Sequence, residues 1–169
     1  MEIRPAHPTE LELLQEIENA SGELFRTIGM PEIADDDPLP LDVLHELQQK
    51  GQVWAAIKDH PVAWIAAEVI DGCAHVEQVS VHPDHARQGI GRRLLDHVAT
   101  WARARNLTAL TLTTFRAVPW NAPYYEKLGF QQVTTLGPGL AEIVEHETER
   151  GLDPTGRTCL RRSVEDHMA

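Results

Sequence analysis

Three arginines and two glycines fall within seven residues, Arg87-Gln88-Gly89-Ile90-Gly91-Arg92-Arg93, and that combination suits an anion. Glycines remove the Cβ atoms that would keep a phosphate away from backbone amides. A helix start leaves up to four N–H groups without partners, and the helix dipole adds partial positive charge there. Arginine side chains add charge-assisted bonds to phosphate oxygens. The stretch therefore reads as a pyrophosphate cradle. It is not the dinucleotide fingerprint G-x-G-x-x-G, because Leu94 stands where the third glycine belongs, and no Gly-Lys-Ser/Thr P-loop occurs in the chain.

Such a loop needs a strand before it and a helix after it. Upstream, Glu77, Val79 and Val81 alternate with Val76, Gln78 and Ser80, and Pro83-Asp84 stops the run. Downstream, Leu94, Leu95, Val98, Trp101 and Ala102 share one helical face over about Gly91–Arg105, with Asn106 as a C-terminal cap. Ala109–Phe115 alternates again, and this strand–helix–strand crossover predicts a parallel pair in an otherwise antiparallel sheet. Alternation also puts His75, Glu77 and Val79 on one face of their strand. Glu77 and His75 are thus candidate general bases, with a solvated strand residue the plainer alternative for each; an imidazole titrates near working pH.

Around this centre the chain reads as follows. Met1–Pro5 is a short edge strand. Thr9 and Glu12 match a capping box, and Leu11, Leu14, Ile17 and Leu24 form the stripe of a first helix running to about Ala20. Gly29–Pro40, with three prolines and Asp35-Asp36-Asp37, is a loop, and Leu41–Lys50 a second helix. Strands Val53–Lys58 and Val62–Ile70 are joined by Asp59-His60-Pro61 and followed through Asp71-Gly72 by Cys73–Val81, a meander. Trp54, Trp64 and Phe25 line a pocket or fill the core, and core is the favoured reading. A short helix Tyr124–Leu128, a strand Phe130–Thr134, a polar helical turn over Leu140–Arg150 and a last strand Thr158–Val164 complete the expectation.

A length of 169 residues and 42% apolar content suit one domain spanning 1–169. No apolar run is long enough to cross a bilayer, and the N-terminus lacks the regions of a signal peptide. Cys73 and Cys159 have no metal or redox spacing, and no metal is expected. A net charge of −11 argues against nucleic-acid partners. The expectation is a cytoplasmic protein that uses neither membrane nor nucleic acid.

Ala86-Arg87-Gln88-Gly89-Ile90-Gly91 resembles the pyrophosphate loop [Q/R]-x-x-G-x-[G/A] of the GNAT N-acetyltransferase superfamily, with Ala86 departing from its first position. Tyr125-Glu126-Lys127-Leu128-Gly129-Phe130 is similar to that family's Y-E-K-x-G-F, one helix and one strand further on. The run Thr113–Pro123 resembles bacterial members of unassigned substrate. The order of motifs and elements extends the likeness over nearly the whole chain. The resemblance implies an α+β fold with a mostly antiparallel mixed sheet of six to seven strands, splayed in a V and flanked by about four helices.

It also implies acetyl-CoA as cosubstrate and direct attack by an amine, from a small molecule or a peptide, without an enzyme nucleophile. Backbone groups of Val79 and Val81 would bond the pantetheine arm, and amides of Arg87, Gln88, Gly89, Ile90, Gly91 and Arg92 the pyrophosphate. Tyr125 matches the general acid. The family's base falls on Glu77 by one count and on His75 by another. Asn121 would contact pantetheine or simply cap its helix. The acceptor site would be built from Ser21–Pro40 and Leu136–Arg157, where Glu32, Asp35, Asp36, Asp37, Glu142, Glu145, Glu147 and Glu149 would form an acidic wall suited to a cationic amine, with a solvated loop the plainer alternative for each charge. Many members form homodimers, but no stripe in this chain fixes an interface.

Overall fold

The period-two runs of Val, Ile, Ala and Thr become strands, and the apolar stripes become helices. The structure is a computed structural model and describes residues Met1–Glu165. Its strands are β1 (Glu2–Pro5), β2 (Val53–Lys58), β3 (His60–Ile70), β4 (Cys73–Val81), β5 (Ala109–Phe115), β6 (Gln131–Gln132) and β7 (Arg157–Ser163). They form one mostly antiparallel sheet in the order β1-β2-β3-β4-β5-β7-β6. The helices are α1 (Leu11–Gly22), α2 (Pro31–Ala34), α3 (Leu41–Gln49), α4 (Ile90–Ala104), α5 (Ala122–Lys127) and α6 (Pro138–Glu149). The α+β reading holds, with six helices where about four were expected. The chain divides into two compact units, Met1–Glu68 with Glu77–His97, and Val69–Val76 with Val98–Ala169.

In the first unit β1 and β3 both pair antiparallel with β2. The β2–β3 turn rests on Asp59 alone, at φ 66°, with Lys58 opposite His60. Pro61 lacks an N–H, and the register slips between Ala56 and Ile57, where a strand proline is tolerated. Leu11, Leu14 and Ile17 of α1 join Leu44 and Leu47 of α3 and Trp64 of β3 in one core. Trp54 is buried too, but Phe25 is only half-buried.

Leu24 leaves the expected stripe and is 42% exposed. The α-helix gives way after Gly22 to a 3-10 segment, Glu23–Ile28, whose three-residue period no longer matches the stripe. The helix also starts differently. The Glu10 carboxylate, not Glu12, accepts the upstream N–H, that of His7 at 2.8 Å, while pairing with Arg4 at 2.8 Å. These bonds hold its pKa down at about 2. Inside the expected Gly29–Pro40 loop, Pro31 opens the short α2, where its fixed φ suits a first helical turn.

In the second unit β4 and β5 run parallel through two pairs, Ala74 with Leu110 and His75 with Thr111. The crossover expectation holds. β5 and β7 pair along all of Ala109–Phe115. The expected strand Phe130–Thr134 shrinks to Gln131–Gln132, because Phe130 is drawn into the end of α5: its N–H bonds the Tyr125 carbonyl and its ring packs on Tyr125. The expected polar turn at Leu140–Arg150 is instead the twelve-residue α6. Its start carries no local cap. Asp71, remote in sequence, accepts from the N–H groups of Gly139 and Leu140, both at 2.9 Å.

Candidate functional site

In the first unit, β4 ends at Val81, a single 3-10 turn over Pro83–His85 follows, and the chain enters α4 through Arg87-Gln88-Gly89. Arg87 at φ 62° and Gly89 at φ 75° both adopt the left-handed conformation, with Gln88 between them. The first hydrogen bond of the helix is Arg93 N–H to Gly89 carbonyl, 3.1 Å. The N–H groups of Ile90, Gly91 and Arg92 therefore stand at the open end of a fifteen-residue helix. No atom lies within 4 Å of where a Gly89 Cβ would be. Ile90 is buried and anchors the loop, while Arg87, Gln88, Arg92 and Arg93 are exposed. Sequence reasoning missed Lys58, whose ammonium hydrogen-bonds the Gln88 side-chain carbonyl from the end of β2. Glu77, Val79 and Val81 are half-buried on β4.

In the second unit, His75 is buried, with Nδ1 at 2.9 Å from the Thr111 hydroxyl. That excludes the solvated-residue reading for His75. The Thr111 partner follows from the parallel register, which no local pattern encodes. Tyr125 is buried edge-to-face against Tyr124 (5.4 Å) and Phe130 (5.7 Å). Burial, with Tyr124 adding, pushes its phenol above the usual tyrosine range, so it stays protonated. Asn121 precedes α5 but its side chain makes no cap bond, and among the described residues its buried Oδ1 has no hydrogen-bond partner. The capping alternative is thereby corrected: the short helix opens on Ala122, and its second residue, Pro123, has no N–H to offer a cap.

A cavity of about 380 Å³ opens in this unit beside β5, β7 and α6. On its wall Glu147 accepts from the Thr113 hydroxyl (2.5 Å) and from Arg157 (3.2 and 3.4 Å). Glu147 is thus not the free member of an acidic wall that the sequence suggested. In the first unit Asp35 is likewise engaged, by Arg26, which also binds Glu23. Cys159 lines the same cavity, and burial raises its thiol pKa, so it stays protonated. Among the described residues no group of three or more His, Cys, Asp and Glu is arranged to hold a metal ion, and no helix is long and apolar enough to cross a membrane.

Residues 12–130 match the model of the acetyltransferase (GNAT) family, well over half of the chain. The chain belongs to this family. Against a curated relative, the ribosomal protein bS18-alanine N-acetyltransferase of Escherichia coli K12, it is 32% identical over 72 residues. That match takes in 43% of the chain, which spans about half (49%) of the relative's length. Among solved structures, PaiA N-acetyltransferase of Thermoplasma acidophilum in complex with coenzyme A superposes with TM-score 0.70 at 16% identity, covering 96% of this chain and 98% of that one. The ribosomal-protein-S18-alanine N-acetyltransferase of E. coli gives 0.65 at 20% identity, over 96% and 93%. At such identities the likeness is one of fold.

Proposed function

We propose that this GNAT protein is an N-acetyltransferase, one catalytic domain over residues 1–169, moving an acetyl group from acetyl-CoA to a primary amine with both substrates bound together. The observation that carries the reading is the loop before α4. Two left-handed residues, three helix-end amides and three exposed arginines make an anion cradle in a chain of net charge −11. The buried, unpartnered Asn121 Oδ1 supports the same reading, since an amide N–H of a pantetheine arm would satisfy it. Backbone groups of Val79 and Val81 would bond that arm as an added strand. Lys58, through Gln88, would add charge at the phosphates.

Acetyl-CoA, when bound, supplies an activated thioester, so the chain needs no nucleophile of its own. Its two cysteines, both buried, need play no part. Glu77 is the favoured base, directly or through water, because it is half-buried while His75 is buried on Thr111. Tyr125 would hold a hydrogen bond to the departing sulfur. A phenol with a raised pKa stabilises that charge by donation more readily than by full proton transfer. The acceptor is a small molecule or a peptide amine.

The test is thiol release from acetyl-CoA against a panel of amino acids, polyamines and peptides, with coenzyme A binding measured in parallel. Amine-dependent release supports the reading. Binding without release would point to an acyl-CoA sensor, and absence of binding would overturn both.

A further inference from the structure

Glu147, Arg157 and Arg116 share the wall of the 380 Å³ cavity, and their charges do not cancel. Glu147 and Arg157 form a bidentate pair, with side chains 13% and 16% exposed. Arg157 also donates to the Thr113 hydroxyl and lays its guanidinium 4.6 Å from the Phe115 ring centre. That pair is neutral and its polar groups are occupied. Arg116 differs. It donates one N–H to the Arg157 carbonyl at 3.0 Å, and among the described residues it has no carboxylate partner. One uncompensated guanidinium therefore stands at a cavity whose lining also includes Leu136, Val144 and Leu152.

We infer that this cavity is an acceptor subsite for a small molecule carrying a carboxylate beside its amine, an amino acid or a similar amino-carboxylic acid, with Arg116 recognising the carboxylate. The fate of the amine rests on the acetyl-transfer reading; the preference for a carboxylate rests on the cavity alone. A guanidinium fork matches a carboxylate bidentately, whereas a polyamine would bring its charge against Arg116. Glu147 offers such a cation little, since both of its oxygens already accept. The volume lies at the lower end of small-molecule sites, roughly 300–1,000 Å³, which suits a ligand of one or two residues. Leu136, Val144 and Leu152 beside the threonines and Gln132 of the lining fit an aliphatic or amide side chain, with the carboxylate at Arg116, because the charge of Arg157 is matched by Glu147.

The experiment compares amino acids with their α-amides, leucine and glutamine among them, as acceptors with acetyl-CoA. N-acetyl-leucine and N-acetyl-leucinamide are titrated calorimetrically on the same full-length protein. The expected result is that the carboxylate form binds, and is acetylated, about tenfold better or more. Arg116→Gln should erase the preference and Arg116→Lys keep part of it, with the thermal midpoint and the KM for acetyl-CoA unchanged. Equal or better use of the amides, of polyamines or of peptide amino termini overturns the inference, as does a preference that survives Arg116→Gln. So does failure of every carboxylate to bind. Selective binding without acetyl transfer would keep the site and overturn the acetyl-transfer reading, and transfer without selectivity would do the reverse.

Discussion

The Asp71 carboxylate accepts the Gly139 N–H at 2.9 Å and also fills the space that a side chain at Gly139 would need. A Cβ there would lie 2.9 Å from Asp71 Oδ1 and 2.6 Å from Ile70 Cγ2. Gly139→Ala should therefore cost about 1–3 kcal/mol by overpacking. Asp71→Ala, which strips two amides at the start of α6 of their acceptor, should cost about 1–2 kcal/mol. Urea unfolding measures both. An unchanged midpoint in either variant would mean that this clasp does not hold α6.

Gly89 presents the opposite case, since its φ of 75° is strained for a side chain yet nothing lies within 4 Å of the Cβ position. Gly89→Ala should lower stability by only about 1–2 kcal/mol. Coenzyme A affinity should fall further, about tenfold or more, equivalent to about 1.4 kcal/mol. Calorimetric titration beside thermal unfolding separates the two effects. Full affinity in the variant would remove the cradle from the proposal.

Tyr125→Phe keeps the ring that packs on Phe130 and Tyr124 and removes only the hydroxyl. Turnover should drop about a hundredfold with coenzyme A binding intact. Because burial raises the phenol's pKa, the wild-type rate should show no alkaline loss through the ordinary tyrosine pKa of about 10. A Phe variant with wild-type kcat would remove Tyr125 from the chemistry.

Glu18 gives stability a pH dependence of its own. Burial, with Asp36 adding, lifts its pKa from 4.5 to about 7, against the opposing hydrogen bond from the Leu39 N–H at 3.1 Å. The folded state keeps its proton where the unfolded chain has lost it, so this group's contribution falls as pH rises from 4.5 to about 7 and is flat above. Glu18→Gln should remove that slope. At pH 8 it should gain on the order of 1–3 kcal/mol over wild type, relative to the difference at pH 4. Parallel stability curves for the two proteins would contradict the shift.

What the sequence determined by itself was whatever short-range pattern encodes. Alternation placed β4 and β5, and a run bounded by turn residues placed β2, at their observed bounds, and the spacing of Leu94, Leu95, Val98 and Ala102 placed the buried face of α4. The glycines and arginines of the loop were legible because anion binding at a helix start needs only neighbours in sequence. Tertiary structure decided wherever the partner was distant. The start of α6 was hidden because its cap is Asp71, sixty-eight residues away. His75 lost its solvated reading to Thr111 across a parallel register. Glu147 passed from a free acid to an ion pair through Arg157 and Thr113. Composition counts charges, but only the fold pairs them, and among the described residues that pairing left Arg116 as the cation without a carboxylate at the cavity wall.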